Sequence, residues 1–430
     1  MSSYRILSGA DAPGHLAAIP KAAAVLGGNP NDWRVRDVAD GNLNSVFLVD
    51  GPKGGVCVKQ ALPYVRIAGE SCPLDVNRAY FEASYAARLA PFVASLAPKI
   101  HHYDPEQRVI VMEKLEPHII LRRGLIAGER FPRAAKDVAE YVAQAAFHTS
   151  DLAVPFERKF ADVALFSRNL ALQRITVDLV FTDPYVEVWR NKVTPPLEPW
   201  AQALRSDAGV KRAVANLRLA YLTKAQSLLH GDLHSGSVMV TPNDTRVIDG
   251  EFSWVGPTGF DVGNFIAHYV MAWYAKPFHR GGAPELDAFR ASIVDDISTF
   301  WSTFRRRFLE ICETADAEGD GLPTKHFDGA AGRVALNRYR GDYVDDIFRD
   351  ALGFLALKVI RRVIGFAQIA DFLVIEDMEK RAYAQAGALA LARSLLLQPD
   401  RYPDIASVLD EMPRFETFGL DPSSRQRLYA

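Results

Sequence analysis

The sequence changes character near residue 116, and this change limits the possible folds more than any single motif does. The segments before it are short, rich in β-branched or alternating apolar residues, and bounded by Gly, Pro or Asp, which is typical of β-strands. One helix is predicted among them, at about Val76–Leu89, from apolar residues spaced by three and four. The predicted strands are Trp33–Val38, Ser45–Val49, Val56–Gln60 and Val109–Glu113.

After Glu116 the spacing of apolar residues is mainly helical, with an island of strand and turn residues from Leu228 to Gly263. The sequence therefore predicts an α+β fold in two lobes: a small β-rich N-terminal lobe, residues 1–115, and a larger, mainly helical C-terminal lobe, residues 116–430. The predicted helices are Ala134–Thr149, Ala201–Ala225, Pro284–Ala315, Asp345–Ala370 and Glu376–Leu397.

The composition argues against several classes of protein. The formal net charge is only -2, so no overall field favours nucleic acid or a membrane surface. Three widely spaced cysteines suggest neither a disulfide framework nor a metal cluster. The first residues lack a signal-peptide pattern, and no apolar stretch is long enough to span a bilayer. We therefore expect a soluble, cytoplasmic protein.

Two apolar segments each lead into acidic residues. Leu229-His230-Gly231-Asp232 runs into a polar loop, and Val247–Glu251 ends in Asp249-Gly250-Glu251. Phosphoryl transfer requires carboxylates of this kind, because one orients the acceptor hydroxyl and takes its proton while others hold Mg²⁺. On an extended segment Asp249 and Glu251 would point the same way and could share one metal ion.

A simpler interpretation treats each acid alone as an ordinary turn residue, with His230, Asp232 and His234 in a hydrogen-bonded loop. The presence of two acidic clusters in this order favours the chemical interpretation, since such spacing seldom arises by chance. His230 and His234 lack the helical register that zinc sites often use, so we expect no zinc. His230 is interpreted as the residue that holds the loop.

Lys59 stands in the otherwise apolar segment Val56–Gln60, and a buried ammonium group requires an anionic partner. Glu82, on the predicted helix that follows, is the expected partner, and Glu70 in a nearby loop is the alternative. A lysine that extends from an edge strand to solvent would explain Lys59 alone about equally well.

Three further features are less specific. Asp40–Asn44 favours a tight turn between two strands, where a loop could cover phosphates, although it contains a single glycine. Ile110–Leu115 is a strand that ends in polar residues, where a hinge could offer backbone groups to adenine. The helix Leu352–Ala370 is apolar on nearly all sides, so Arg361 and Arg362 should be buried and require anions or hydroxyls. Arginines that reach the surface from the helix flank are the alternative.

In this order, these parts resemble the aminoglycoside and choline kinases of the protein-kinase-like fold, and the methylthioribose kinase family in particular. The resemblance extends from residue 40 to about residue 370. The segments that carry it are Asp40–Asn44, Val58–Arg66, Gly69–Ser71, His118–Leu125, Phe147–Leu152, His230–Ser237 and Gly259–Gly263.

This resemblance implies transfer of the ATP γ-phosphate to the 1-hydroxyl of 5-methylthioribose, with Mg²⁺, in methionine salvage. It also implies a cytoplasmic homodimer with a nucleotide-binding N-terminal lobe and a catalytic, substrate-binding C-terminal lobe. The catalytic base would be Asp232 and the metal ligands Asp249 and Glu251. The other expected site residues are Asn42, Lys59, Glu82, Glu113 and Leu115 for ATP, and Asn44, Asp232, Arg361 and Arg362 for the sugar.

Two positions depart from the expected pattern. Ser237 stands where many members of the wider fold have an asparagine that helps to hold metal, which leaves the metal more dependent on Asp249 and Glu251. Gly250 stands where proline is expected in this family, and glycine loosens the turn.

Two other functions stay open at this point. A related kinase could act on another small alcohol such as an aminoglycoside or choline, although Arg361 and Arg362 argue against a cationic substrate. A nucleotide-binding pseudokinase is the second alternative, and the presence of the catalytic base together with its lysine and metal acids argues against it.

Overall fold

A computed structural model describes residues 4–38, 43–66, 69–279, 286–315 and 319–416. The expected α+β class is confirmed, since a β-rich region at the start of the chain is followed by a larger, mainly helical region. Helices α1 (Ala12–Ala17) and α2 (Pro20–Leu26) precede the N-terminal sheet, and α3 (Arg78–Val93) is inserted between its strands. In the described part of the chain, no helix is both long enough and apolar enough to cross a membrane.

Among the described residues, the N-terminal sheet has five antiparallel strands in the order β1-β2-β3-β7-β6. The sheet strands are β1 (Arg34–Asp37), β2 (Asn44–Asp50), β3 (Gly55–Ala61), β6 (Ile100–Asp104) and β7 (Val109–Glu113), and β4 (Tyr64–Val65) pairs with β5 (Gly69–Pro73) in a separate ribbon. Lys59 lies on the central strand β3, opposite Val46 and Ile110. The interpretation of Lys59 as an edge-strand lysine is therefore wrong.

The two faces of β3 pack against different helices. Val56 and Val58 belong to the apolar cluster formed with α1 and α2, whereas Cys57 and Ala61 belong to the cluster formed with α3. Successive side chains of a strand point to opposite faces, so Lys59 shares the face of Cys57 and Ala61. This alternation directs the lysine toward α3.

The C-terminal region contains short strand pairs and many helices. The strands are β8 (Ile119–Ile120), β9 (Ser227–Leu229), β10 (Val238–Val240), β11 (Thr245–Val247) and β12 (Trp254–Gly256). The helices are α4 (Leu121–Ala127), α5 (Ala134–His148), α6 (Phe156–Phe166), α7 (Leu170–Phe181), α8 (Glu198–Ser206), α9 (Ala208–Thr223), α10 (Gly259–Ala275), α11 (Leu286–Thr314), α12 (Gly329–Ile364), α13 (Ala370–Leu373), α14 (Met378–Leu397) and α15 (Ile405–Glu416).

Two predicted helices have different bounds in the structure. The single helix predicted over Ala201–Ala225 is wrong: it is divided into α8 and α9 by Asp207, whose extended backbone and side-chain bond to the Val210 N–H, at 3.1 Å, start a new helix. The helix predicted over Asp345–Ala370 begins earlier, at Gly329, and ends at Ile364, because Gly365 leaves the helical conformation.

Helices α10 and α12 pack closely in the centre of the C-terminal region. A Cβ atom at Gly263 would lie 2.3 Å from the carbonyl oxygen of Ala351, so only glycine allows this approach. Every residue of α12 from Ala351 to Ile364 is buried, which confirms the helix as buried on all sides. This packing brings the charged residues of α12 beside the loop that follows β9.

Candidate active site

Asp232 lies in the loop between β9 and β10, and Asp261 in the first turn of α10 holds the start of this loop. The backbone N–H groups of His230 and Gly231 donate to the two carboxylate oxygens of Asp261, at 2.6 and 3.0 Å. Burial raises the pKa of Asp261, and these hydrogen bonds act against that rise. The carboxylate thus fixes the backbone immediately before Asp232.

His230 connects the two acidic segments, in agreement with its predicted role in holding the loop. The Asp232 N–H donates to Nδ1 of His230 at 3.3 Å, so a neutral ring carries its proton on Nε2. Nε2 then donates to the carbonyl oxygen of Ile248 at 2.8 Å, immediately before Asp249.

The side chain of Ser237 supports the same loop. It accepts a hydrogen bond from the His234 N–H at 2.8 Å and lies 3.1 Å from the carbonyl oxygen of Asp232. The serine is therefore part of the hydrogen bonding that shapes the loop between β9 and β10.

The carboxylate of Asp232 is surrounded by cationic and imidazole groups. Lys358 Nζ donates to Oδ1 at 2.7 Å, Arg361 Nη1 lies 3.9 Å from the same oxygen, and His234 Nε2 lies 3.3 Å from Oδ2. Burial alone would raise the pKa of Asp232, but the charge of Lys358 and the contact with His234 hold that pKa well below its usual range. Asp232 is therefore ionised at neutral pH.

Arg361 and Arg362 are buried, at 7% and 9% exposure, so the alternative in which they reach the surface is wrong. Burial, with the charge of Arg361, lowers the pKa of Arg362 to about 9. In the described part of the chain, several buried polar atoms near them lack a hydrogen-bond partner. These atoms are the Nε atoms of Arg122, Arg361 and Arg362 and both carboxylate oxygens of Asp371.

Asp371, on α13, was not predicted as a site residue. Burial raises its pKa to about 6, and the charges of Arg122 and Arg362 act in the opposite direction. Arg122 also contacts the loop that contains Asp232, since Arg122 Nη2 lies 3.3 Å from His234 Nδ1. Arg361, which has an unpaired donor, thus lies beside Asp232, and the unpaired acceptor Asp371 is within the electrostatic range of Arg122 and Arg362. Donors and acceptors together suit hydroxyl groups.

Lys358 was also missed, although it carries the shortest contact to Asp232. It lies one helical turn before Arg361 and Arg362 on α12, in the same apolar surroundings that predicted their burial. Burial lowers the pKa of Lys358 to about 7 against the opposing effect of Asp232. The sequence did offer a signal for Lys358, namely a charged residue in a helix that is apolar on nearly all sides.

In the N-terminal lobe, the predicted contact between Lys59 and Glu82 is confirmed. Lys59 Nζ donates to both Glu82 oxygens, at 2.8 and 2.7 Å, and also to Oδ1 of Asp249. Burial alone would lower the pKa of Lys59, but the carboxylates around it raise it overall. Burial raises the pKa of Glu82 to about 7. The side chain of the alternative partner, Glu70, lies outside the described residues.

Asp249 and Glu251 do not alternate on an extended segment, so this prediction is wrong. Asp249 has a left-handed backbone, with φ 73° and ψ 46°, and Gly250–Phe252 form a short 3₁₀ turn. The turn nevertheless brings the acids together, because carboxylate oxygens of Glu82, Asp249 and Glu251 lie within 4.8 Å of one another.

Glu251 is held by two residues of the N-terminal lobe. Asn44 Nδ2 and Arg78 Nε each donate to Oε2 at 3.1 Å, and Arg78 Nη2 donates to the Asn44 side-chain oxygen at 3.1 Å. The structure therefore groups Asn44, predicted as a sugar ligand, with Glu251, predicted as a metal ligand. Arg78, which is almost fully buried, was not predicted from the sequence.

The remaining predicted residues concern ATP. The Glu113 N–H donates to the Lys99 carbonyl oxygen at 2.8 Å, so this amide is already paired. Leu115 is buried just after β7. Asn42 lies outside the described residues. Their assignment to ATP stays a prediction.

The sequence of this chain is similar to those of known phosphotransferases. The profile of the phosphotransferase enzyme family matches residues 34–291. A methylthioribose kinase of Escherichia coli is 37% identical over 410 residues, covering 95% of this chain and 97% of that protein. Methylthioribose kinase 1 of Oryza sativa subsp. japonica is 37% identical over 417 residues, covering 96% of each chain.

Among solved structures, a glucosamine kinase in complex with glucosamine, ADP and inorganic phosphate aligns with 92% of this chain and 88% of its own, at 15% identity and a TM-score of 0.46. The family assignment rests on the sequence relatives, whose similarity extends over nearly the whole chain. The chain therefore belongs to the methylthioribose kinase family of ATP-dependent phosphotransferases.

Proposed function

We propose that this protein transfers the γ-phosphate of ATP to the 1-hydroxyl of 5-methylthioribose, giving 5-methylthioribose 1-phosphate. The observation that carries the proposal is the ionised carboxylate of Asp232 beside buried polar groups that lack partners, in a chain 37% identical to proteins named methylthioribose kinases. We also propose, from the family resemblance, a homodimer that acts in methionine salvage in the cytoplasm.

The transfer needs a group that orients the acceptor hydroxyl and receives its proton. Asp232 is suited to this role because its carboxylate is ionised and its side chain is 22% exposed, enough for access by substrate. The acceptor oxygen then forms a bond to the γ-phosphorus while the bond from that phosphorus to the ADP oxygen breaks. The proton of the hydroxyl passes to Asp232.

Lys59 is suited to bind the phosphates of ATP. Its ammonium group lies between Glu82 and Asp249, so it is held in place before the nucleotide arrives. Phosphate oxygens can compete with a carboxylate for such a cation, because both accept charge-assisted hydrogen bonds. We place ATP between the β-rich lobe, residues 1–115, and the catalytic lobe, residues 116–430.

The acids Asp249 and Glu251 fit a magnesium ion. Carboxylate oxygens are the ligands that this cation prefers, and the oxygens of these two residues are close enough to be shared. When bound with ATP, Mg²⁺ would neutralise phosphate charge. Glu82 belongs to the same acidic group, but its two oxygens already accept from Lys59.

The polar groups beside Asp232 favour a sugar over a cationic alcohol. Arg361 and Arg362 repel a quaternary ammonium or a polyamine. Hydroxyl groups both donate and accept, so they can pair with the arginine donors and with the carboxylate of Asp371. A vicinal diol of a ribose ring would supply acceptors for the arginine donors and a donor for the carboxylate of Asp371.

The test is an ADP-release assay with Mg-ATP that compares 5-methylthioribose, ribose, choline and kanamycin. We expect turnover with 5-methylthioribose, and we expect Asp232→Asn to lower kcat by about 1,000-fold while ATP still binds. Turnover with choline or kanamycin alone would contradict the proposal that 5-methylthioribose is the substrate. Absence of turnover with all four acceptors, with intact ATP binding, would favour the pseudokinase alternative.

A further inference from the structure

Lys358 makes the closest charged contact to Asp232 and is the most deeply buried of the groups around it. Its side chain is 1% exposed, compared with 9% for Arg361 and 12% for His234. In the part of the chain that the structure describes, its only side-chain hydrogen bond goes to Asp232 Oδ1, at 2.7 Å. The other α12 residues from Ala351 to Ile360 are apolar, and Arg361 and Arg362 follow them.

A lysine in such surroundings requires a specific reason. The ammonium group loses its hydration when buried, and an apolar side chain of similar length would pack at the same place without that cost. Among the described residues, Asp232 is the one acceptor that Lys358 reaches with a hydrogen bond. The lysine at residue 358 is therefore explained by its contact with Asp232 and not by the packing of α12.

The two oxygens of Asp232 have different partners. Oδ1 accepts from the ammonium group of Lys358, whereas Oδ2 faces His234 Nε2 at the longer distance of 3.3 Å. The Gly236 N–H donates to His234 Nδ1 at 2.8 Å, so the neutral ring carries its proton on Nε2. Burial lowers the pKa of His234 to about 3, and the ring is neutral at pH 7. Oδ2 thus has the weaker partner and is free to accept a second hydrogen bond.

We propose that Lys358 is a positioning residue for phosphoryl transfer: it holds Oδ1 of Asp232, fixes the rotation of the carboxylate and directs Oδ2 to the acceptor hydroxyl. This inference rests on the proposed function. In the transfer step the hydroxyl proton passes to Oδ2, the acceptor oxygen bonds to the γ-phosphorus, and the bond from that phosphorus to the ADP oxygen breaks. Lys358 is not the proton acceptor in this step.

The first variant is Lys358→Met, which keeps the length of the side chain and removes its charge. Its matched control is Lys159→Met, because Lys159 is similarly buried, at 3% exposure, but has other partners. Lys159 donates to the backbone carbonyl oxygens of Thr149 and Gln226 and lies 3.3 Å from Oδ2 of Asp151. We expect Lys358→Met to lower kcat about 100-fold and to change either KM by less than about threefold. The control should lower Tm and leave kcat of the folded enzyme within about threefold.

A double-mutant cycle separates positioning from general stability. If Lys358 acts through Asp232, then adding Lys358→Met to Asp232→Asn should change the residual kcat by less than about threefold. An equal 100-fold loss in both backgrounds would overturn the proposal. The double variant contains no unpaired buried charge at this contact, so it should fold even where the single variant does not.

A second single variant, Lys358→Gln, retains a neutral donor for Oδ1. We expect it to lose about tenfold in kcat, less than Lys358→Met, and wild-type kcat in either variant would overturn the inference. The assay of the wild-type enzyme shows whether the inference alone is wrong or the proposed function is wrong as well.

If the wild-type enzyme phosphorylates none of the four acceptors, the proposed function is wrong, and so is the inference that rests on it. If it is active and Lys358→Met is equally active, only the inference fails.

Discussion

Lys59 and Glu82 are joined by two hydrogen bonds, of 2.8 and 2.7 Å, between the central strand β3 and helix α3. Both side chains are buried, and Asp249 of the other lobe contacts the same ammonium group. The ammonium group of Lys59 therefore contacts one carboxylate from each lobe. The position of its ammonium group depends on the placement of α3 as well as on the strand.

We predict that Glu82→Gln raises KM for ATP about tenfold and lowers kcat about tenfold. The amide is similar in shape but cannot neutralise the ammonium group, so Lys59 should shift toward Asp249 and away from the phosphates. Steady-state kinetics with ATP as the varied substrate measures both constants. KM for the sugar should change little.

The control for this variant is Asp11→Asn, which removes a charge from an exposed pair with Arg5 in the same lobe. Its kinetic constants should equal those of the wild type. Wild-type KM and kcat in Glu82→Gln would contradict the role of this pair in holding Lys59.

We predict opposite effects on stability and binding for Asp371→Asn. Neither carboxylate oxygen of Asp371 has a partner among the described residues, and an unpaired buried charge is costly, so the variant should have a higher Tm. The same carboxylate should accept from a sugar hydroxyl, so KM for 5-methylthioribose should rise about tenfold. Thermal unfolding and acceptor kinetics provide the two measurements.

Asp377→Asn is the matched control, since Asp377 lies nearby in sequence but is exposed and caps α14, a role that asparagine can also fill. It should leave Tm and KM unchanged. A higher Tm with an unchanged KM in Asp371→Asn would mean that Asp371 does not contact the acceptor.

The parts of the site that were predictable are those with local patterns. Lys59 in an apolar strand required an anionic partner, and helical spacing placed Glu82 on the next helix, so Glu82 was the expected partner. The apolar surroundings of Arg361 and Arg362 likewise predicted their burial. The burial of the arginines could be inferred from one helix alone, whereas the contact of Lys59 with Glu82 also required the order of strand and helix along the chain.

Other contacts depend on geometry that has no local signal. The left-handed backbone of Asp249 turns the chain where an extended strand was expected, so the argument for Glu251 failed although the acids still meet. Lys358 contacts Asp232 across 126 residues, and the packing of α12 decides this contact. Asp371 follows the end of α12, and its placement depends on where that helix stops.

We predict a pH effect on stability from Asp296 on α11. Burial raises its pKa to about 7, whereas an unfolded aspartate titrates at about 3.9. The folded protein therefore binds this proton more tightly, and the resulting stability is present below about pH 4 and lost as the pH rises to about 7. Asp296→Asn should raise the free energy of unfolding by about 2 kcal/mol at pH 8 and by less at pH 5.

Urea unfolding at the two pH values measures this difference. Asp295→Asn is the control, because its neighbouring side chain is exposed and the substitution changes the same formal charge. It should leave the free energy of unfolding within about 0.5 kcal/mol of the wild type at both pH values. Equal effects of the two variants would show that net charge, and not the burial of Asp296, is responsible.

Gly250 separates Asp249 from Glu251, and we predict that a side chain there harms both stability and transfer. A Cβ atom at this position would lie 2.5 Å from Cδ1 of the buried Tyr85 ring, so Gly250→Ala must displace the turn or the ring. We expect a loss of about 2 kcal/mol in unfolding free energy. We also expect a reduced kcat, because Asp249 and Glu251, the proposed metal ligands, would shift.

Gly341→Ala on α12 is the control, since a Cβ atom at Gly341 meets nothing within 4 Å and alanine favours helix. It should stabilise the protein by up to about 1 kcal/mol and leave kcat unchanged. If the clash causes the loss in Gly250→Ala, then Tyr85→Ala in the same chain should make the two losses less than additive. Chemical denaturation of all four variants, including Tyr85→Ala alone, measures this coupling. Strict additivity would show that the added Cβ atom acts on the turn itself and not through the Tyr85 ring.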